Sequence, residues 1–144
     1  MNTANWGHSA FIVRWILGLL FLMAGYWKVF KLGATEHARR FFVDGFADTW
    51  IPEWLLWILG FGIPFLELIA GLLICLGLRT REALISLGLL LIITTYGHAL
   101  KEPLFDIDGH TFTRLALIIF LLLVPADADR LSLDFWLKSR RNKA

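Results

Sequence analysis

The sequence has a single cysteine, Cys75, among 144 residues. An intramolecular disulfide is therefore impossible, and so is a cysteine-pair redox relay within the chain. Charge is scarce as well. Asp, Glu, Lys and Arg make up 18% of the residues and balance to a formal +2. The basic residues lie at the ends of apolar segments and form no stripe, so nucleic acid is not an expected partner. A metal site wants several His, Cys or carboxylate ligands converging. Only Glu67 and His98 stand near apolar stretches, so no metal is assigned. A haem would want an axial His or Met deep in a span, whereas His8, His37 and His110 fall in loops or ends. No phosphate-cradling glycine loop and no activated serine arrangement is present. No cleavable signal peptide is expected, because the first apolar run has no basic stretch before it and continues past signal-peptide length.

What the chain has in excess is apolar residues. They form 58% of the sequence, and the mean hydropathy is +0.66. That balance suits a small polytopic membrane protein. Four apolar segments are predicted to span a bilayer, over about residues 10–32, 54–78, 83–99 and 112–125. Each approaches the roughly 20 residues that a hydrocarbon core demands, the last being the shortest. The expected fold class is all-α, a transmembrane four-helix bundle forming one integral membrane domain over residues 1–144. The tail, residues 126–144, carries Leu131, Leu133, Phe135, Trp136 and Leu137 among polar residues and reads as an interfacial amphipathic segment. The first loop, Gly33 to Glu53, mixes His37, Arg39, Arg40 and acids with Phe41, Phe42, Phe46 and Trp50. Such aromatic density beside a span suggests a segment in the headgroup region. Counting Lys and Arg near span ends places Arg79, Arg81, Arg130, Lys138, Arg140, Arg141 and Lys143 on one side, against Lys31, Arg39, Arg40 and Lys101 on the other. The predicted orientation therefore has both termini cytoplasmic.

One carboxylate stands inside the second span. Glu67 is the only charge between Trp54 and Leu78, at a depth where a charge costs about 2.5–3.5 kcal/mol on insertion scales. Pro64, three residues earlier, frees a backbone carbonyl one turn before it and invites a kink. At 1.5 Å of rise per residue, Lys28 lies roughly 21 Å from the cytoplasmic end, Glu67 roughly 18 Å, His98 roughly 25 Å and Arg114 roughly 15 Å. Four polar residues on four helices thus fall within about 10 Å of one another in depth. Glu67 could then pair with Lys28 or Arg114, with His98 on the outer side. The plainer readings stand beside this one. Lys28 and Arg114 also read as cations that snorkel to the interface, His98 as an interfacial histidine, and Glu67 as a neutral acid that fastens the bundle. Cys75 reads as a small packing residue.

These residues also resemble a known family. Arg14, Gly18, Phe21, Ala24, Gly25 and Lys28 in the first span, Glu67, Gly71, Gly77, Leu78, Thr80 and Arg81 around the second, His98, and RLSLD at Arg130 to Asp134 are together similar to the DoxX/DoxD-like small four-span membrane proteins. The resemblance implies a prokaryotic inner (plasma) membrane protein linked to thiosulfate:quinone or oxidative-stress redox complexes. Arg114 departs from it, since family members often carry an acid near that point. On this expectation the chain is a subunit of a quinone-linked membrane redox complex and lacks an intrinsic cofactor. Glu67 and His98 would be catalytic proton carriers, Lys28 and Arg114 would bind the quinone substrate, and a redox partner protein would supply electrons. The alternative is a non-catalytic anchor, assembly or chaperone subunit. A homo-oligomer is left open by the sequence, and so is the question of whether the chain is an enzyme at all.

Overall fold

The computed structural model describes residues 3–102, 111–125 and 128–141. Every regular element among them is helical. α1 spans Thr3–Tyr26 and runs on into π-helical turns over Trp27–Gly33. α2, Ala34–His37, leads into a second π-helical stretch, Ala38–Val43, and a short 3-10 turn, Asp44–Phe46. α3 covers Glu53–Leu76, α4 Thr80–Lys101, α5 Thr113–Leu123 and α6 Leu133–Arg141. By length and composition, Trp6–Phe46, Glu53–Leu76 and Thr80–Lys101 can each cross a membrane, and Thr113–Leu123 is a shorter apolar helix. The all-helical membrane architecture read from the sequence is therefore what the chain adopts. Residues 103–110, between the third and fourth predicted spans, lie outside the described residues.

The bundle is built on the antiparallel pair of α1 and α3. Along α3 the buried positions include Leu56, Gly60, Ile63, Glu67, Ala70 and Ile74, with Pro64, Gly71 and Cys75 beside them. Their alternating spacing of four and three residues makes a single seam. On α1 the matching seam runs through Ala10, Arg14, Leu17 and Phe21. Small residues bring the two backbones together, as membrane helix pairs require when no water-driven force joins them. A Cβ on Gly18 would stand 2.5 Å from the Cys75 Sγ, and one on Gly25 would stand 2.5 Å from the Leu68 backbone nitrogen. α4 and α5 complete the bundle, and Leu84, Leu87, Leu90, Ile118 and Leu121 join the same core. Outward-facing side chains such as Ile12, Met23, Ile69, Leu89 and Ile92 are large, apolar and exposed. A surface of this kind suits lipid and would be costly in water.

The stretch from Gly33 to Glu53 is not an open loop. Gly33 has φ +92°, a conformation that glycine adopts without a Cβ clash. The chain turns there and winds helically to Phe46 against the first half of α3. Ala38 is fully buried and packs on Gly60, where a Cβ would stand 2.6 Å from the Ala38 Cα.

The RLSLD segment closes the opposite end. α3 ends in a Schellman turn, with Leu78 N–H donating to the Leu73 carbonyl and Gly77 N–H to Ile74, and Gly77 at φ +67°. The Asp134 backbone N–H donates to the Gly77 carbonyl. Its carboxylate accepts from the backbone N–H groups of Arg79 and Thr80 at 2.8 and 2.9 Å. A tail residue thus supplies the cap that the start of α4 lacks locally. Arg79, the first of these donors, has φ 47°. Ser132 in turn caps α6, its Oγ accepting from the Phe135 N–H. Arg14, within the first predicted span, is 1% exposed. Its guanidinium donates to the carbonyls of Ile74, Cys75 and Leu131 at 3.1, 2.7 and 3.0 Å. A cation at a helix C-terminus meets both orphan carbonyls and the negative end of the dipole. Arg14 therefore ties α1, the end of α3 and the tail into one knot.

Candidate functional site

Lys28 and Glu67 meet. The Lys28 Nζ lies 2.6 Å from the Glu67 Oε2. Glu67 occupies a seam position of α3 that would otherwise hold an apolar residue, and its side chain is 6% exposed against 23% for Lys28. Gly25, one turn before Lys28, lets α1 lie directly against Pro64 and Leu68. That approach is what brings a lysine stem within reach of the carboxylate. Lys28 is also wound into the π-helical stretch Trp27–Gly33. Such turns shift side-chain register and recur at functional sites. The pair is charge-neutral as a unit, with its ammonium edge the more accessible part.

The other two candidates are placed differently. The Arg114 guanidinium carbon sits 5.3 Å from the centroid of the buried Phe21 ring, a cation–π arrangement. Arg114 thus lies on the ring that separates Arg14 from Lys28 along α1. His98 has an exposed side chain near the end of α4, and its carbonyl accepts from the Glu102 N–H.

A residue that sequence reasoning assigned to a polar loop belongs to this region instead. His37 is 5% exposed. Its Nδ1 lies 2.7 Å from the Gly60 carbonyl oxygen. Pro64 has no N–H to offer the carbonyl four residues back, and Gly60 is that residue. His37 fills the vacancy as donor, which places the proton on Nδ1. Phe41 and Phe42 flank the ring at 5.4 and 5.6 Å between centroids. Gly60 and Glu67 are seven residues apart, so the His37 and Lys28 contacts fall on one face of α3, roughly 10 Å apart along it. The vacancy at Gly60 was legible from Pro64; the identity of its donor was not, because nothing local links residue 37 to residue 60.

Outside the spans, burial pushes the Asp129 carboxyl above its ordinary pKa, against the pull of the Arg14 guanidinium. The two groups are in ionic contact at 3.1 Å, but the Arg14 Nε–H is not aimed well enough to make a hydrogen bond. Among the described residues, no three His, Cys, Asp or Glu side chains converge as a metal site would require.

A three-to-four-helix membrane bundle with a buried lysine–glutamate pair defines a small multi-span membrane protein. Residues 7–101 match the family model described as methylamine utilisation protein MauE. The match covers α1 through α4, including Lys28 and Glu67, and the chain belongs to that family. The expectation of a small multi-span membrane family holds at this level, and the family shown is MauE, not DoxX. No curated protein and no solved structure matches the chain.

Proposed function

We propose that this chain is an accessory membrane subunit of a redox system, serving methylamine utilisation as its family's description indicates. It would hold or mature a partner protein within the bilayer. The observation that carries this reading is the closed Lys28–Glu67 pair. Each charge finds its counter-ion inside the chain at 2.6 Å, and the pair binds α1 to α3 where Gly25 permits close approach. A broad apolar outer surface remains for lipid and a membrane partner. On this reading Glu67→Gln lowers the amount of partner that co-purifies from native membranes, and no separate chemical defect accompanies the loss. Full recovery of the partner with Glu67→Gln would refute it.

The greater exposure of Lys28 supports a second reading, the quinone-linked one. An ammonium reachable from the membrane could polarise a quinone carbonyl, Glu67 or His98 could carry protons, and Arg114 could supply further positive charge. A partner protein would supply the electrons. This predicts saturable binding of a quinol analogue by purified protein and its loss in Glu67→Gln. Absence of binding by the unaltered protein would end this second reading and leave the first standing. The prokaryotic inner membrane, with both termini cytoplasmic, is the setting both readings suppose.

A further inference from the structure

A second polar site lies at the other end of the bundle. There a cavity of about 170 Å³ opens between α4, α5 and the tail. Leu84, Leu121 and Leu122 form its apolar side, and Thr80, Arg81 and Asp129 its polar side. Two polar atoms in this wall are buried without any hydrogen-bond partner, the Thr80 Oγ1 and the Asp129 Oδ1. Buried polar atoms are nearly always satisfied, so an orphaned pair on two residues of one cavity wall calls for a ligand there. The volume exceeds that of a single water several-fold.

The chemistry of the wall narrows the occupant. The Asp129 Oδ1 is an acceptor and wants an N–H or O–H. Asp134 also lines the cavity, but its two oxygens already cap α4. Arg81 is exposed at the rim. Arg14 backs Asp129 from behind, so two arginines face two aspartates and the formal charges cancel. An anionic ligand gains nothing net from such a wall, whereas a zwitterion can meet both signs. Thr80 opens a helix long enough to span, so the cavity sits at headgroup level, and on its apolar side Leu122 is exposed on the outer surface of α5 while Leu84 and Leu121 are buried. We propose that this cavity binds a phospholipid with a primary-ammonium headgroup, a phosphatidylethanolamine. The ammonium donates to the Asp129 Oδ1, the phosphate lies against Arg81 and accepts from the Thr80 hydroxyl, and an acyl chain follows Leu122 out over α5. The site is separate from the Lys28–Glu67 pair and does not depend on either reading of it.

The test is lipid retention by the purified full chain, measured by native mass spectrometry. The probes are phosphatidylethanolamine, phosphatidylcholine and phosphatidylglycerol with identical acyl chains. Phosphatidylcholine keeps the charges but has no N–H to donate. The expected result is retention of the ethanolamine lipid about tenfold better than the choline lipid, the weight of one hydrogen bond to a charged group. Asp129→Asn should erase most of that preference. Thr80→Val, which leaves the Arg14–Asp129 contact alone, should weaken all three lipids. Resistance of the tail to protease, checked in each variant, reports whether the knot has survived, and Thr80→Val decides the matter if Asp129→Asn fails to fold. Equal retention of the ethanolamine and choline lipids, no retention of any lipid, a preference for phosphatidylglycerol over both, or Thr80→Val without effect would each overturn the proposal.

Discussion

Replacing Arg14 with methionine keeps the bulk of the side chain and removes every donor. Two consequences follow from the contacts. The Ile74 carbonyl retains a partner, since it also accepts from the Gly77 N–H. The Cys75 and Leu131 carbonyls lose the guanidinium at 2.7 and 3.0 Å, and Asp129 is left beside no cation that the structure pairs with it. Hydrogen bonds to a charged group are worth about 1.5–3 kcal/mol each, and breaking a buried ionic contact by removing one partner costs about 3–5 kcal/mol. These terms overlap, so we take about 3–5 kcal/mol for the whole change. At 1.4 kcal/mol per factor of ten, the population with the tail undocked rises by roughly two to three and a half orders of magnitude. The assay is trypsin cleavage at Arg130, where the rate follows the open population when reclosing is fast. Hydrogen exchange at the Asp134 amide, bonded to the Gly77 carbonyl, reports the same opening independently. Asp129→Asn should open the tail far less, by about 1 kcal/mol. It leaves Arg14 all three carbonyls and removes a carboxylate whose burial already opposes its charge. If Asp129→Asn frees the tail as fully as Arg14→Met, the carbonyl bonds are not what holds it.

Further outcomes follow from the same contacts. Lys28→Gln should destabilise the protein in detergent more than Glu67→Gln, because it strands the more buried charge, while a lone Lys28 can snorkel; thermal aggregation of the two single variants and the double variant measures the asymmetry, and equal losses would count against it. Gly25→Ala should cost about 1–3 kcal/mol or more by forcing α1 off the Leu68 backbone, whereas Gly62→Ala, whose Cβ would meet nothing within 4 Å, should be neutral or slightly stabilising. Asp134→Ala should cost about 1–2 kcal/mol through loss of the α4 cap, read as faster exchange of the Arg79 and Thr80 amides. His37→Ala should be harmful in the natural chain and milder on a Pro64→Ala background, where residue 64 regains an N–H for the Gly60 carbonyl; additive effects would show that His37 does not serve that vacancy.

How much of this was legible beforehand varies by element. The all-helical membrane architecture was, because apolar length and helical backbone satisfaction are local demands that lipid makes of every span. Arg14 and Lys28, fourteen helical steps apart, both reach α3. A Lys28–Glu67 pairing was open to depth arithmetic, though that arithmetic could not choose between Lys28 and Arg114. The winding of residues 34–46 was hidden, since the polar residues there read as loop and only the seat at Gly60 makes a buried helical turn of Ala38 and His37. RLSLD was conspicuous as a string, yet nothing in it says that Asp134 caps a helix whose first residue, Thr80, is 54 positions away.

By itself, then, the sequence determined the class of molecule and that Lys28 and Glu67 stand at similar heights along their helices, since both follow from rise per residue and the cost of polar groups in hydrocarbon. Partners were decided only by the tertiary structure. Which cation faces Glu67, which donor serves the carbonyl vacated by Pro64, and where Arg14 sends its guanidinium depend on how closely two backbones approach. That approach is governed by glycines whose effect is felt on the neighbouring helix and not on their own.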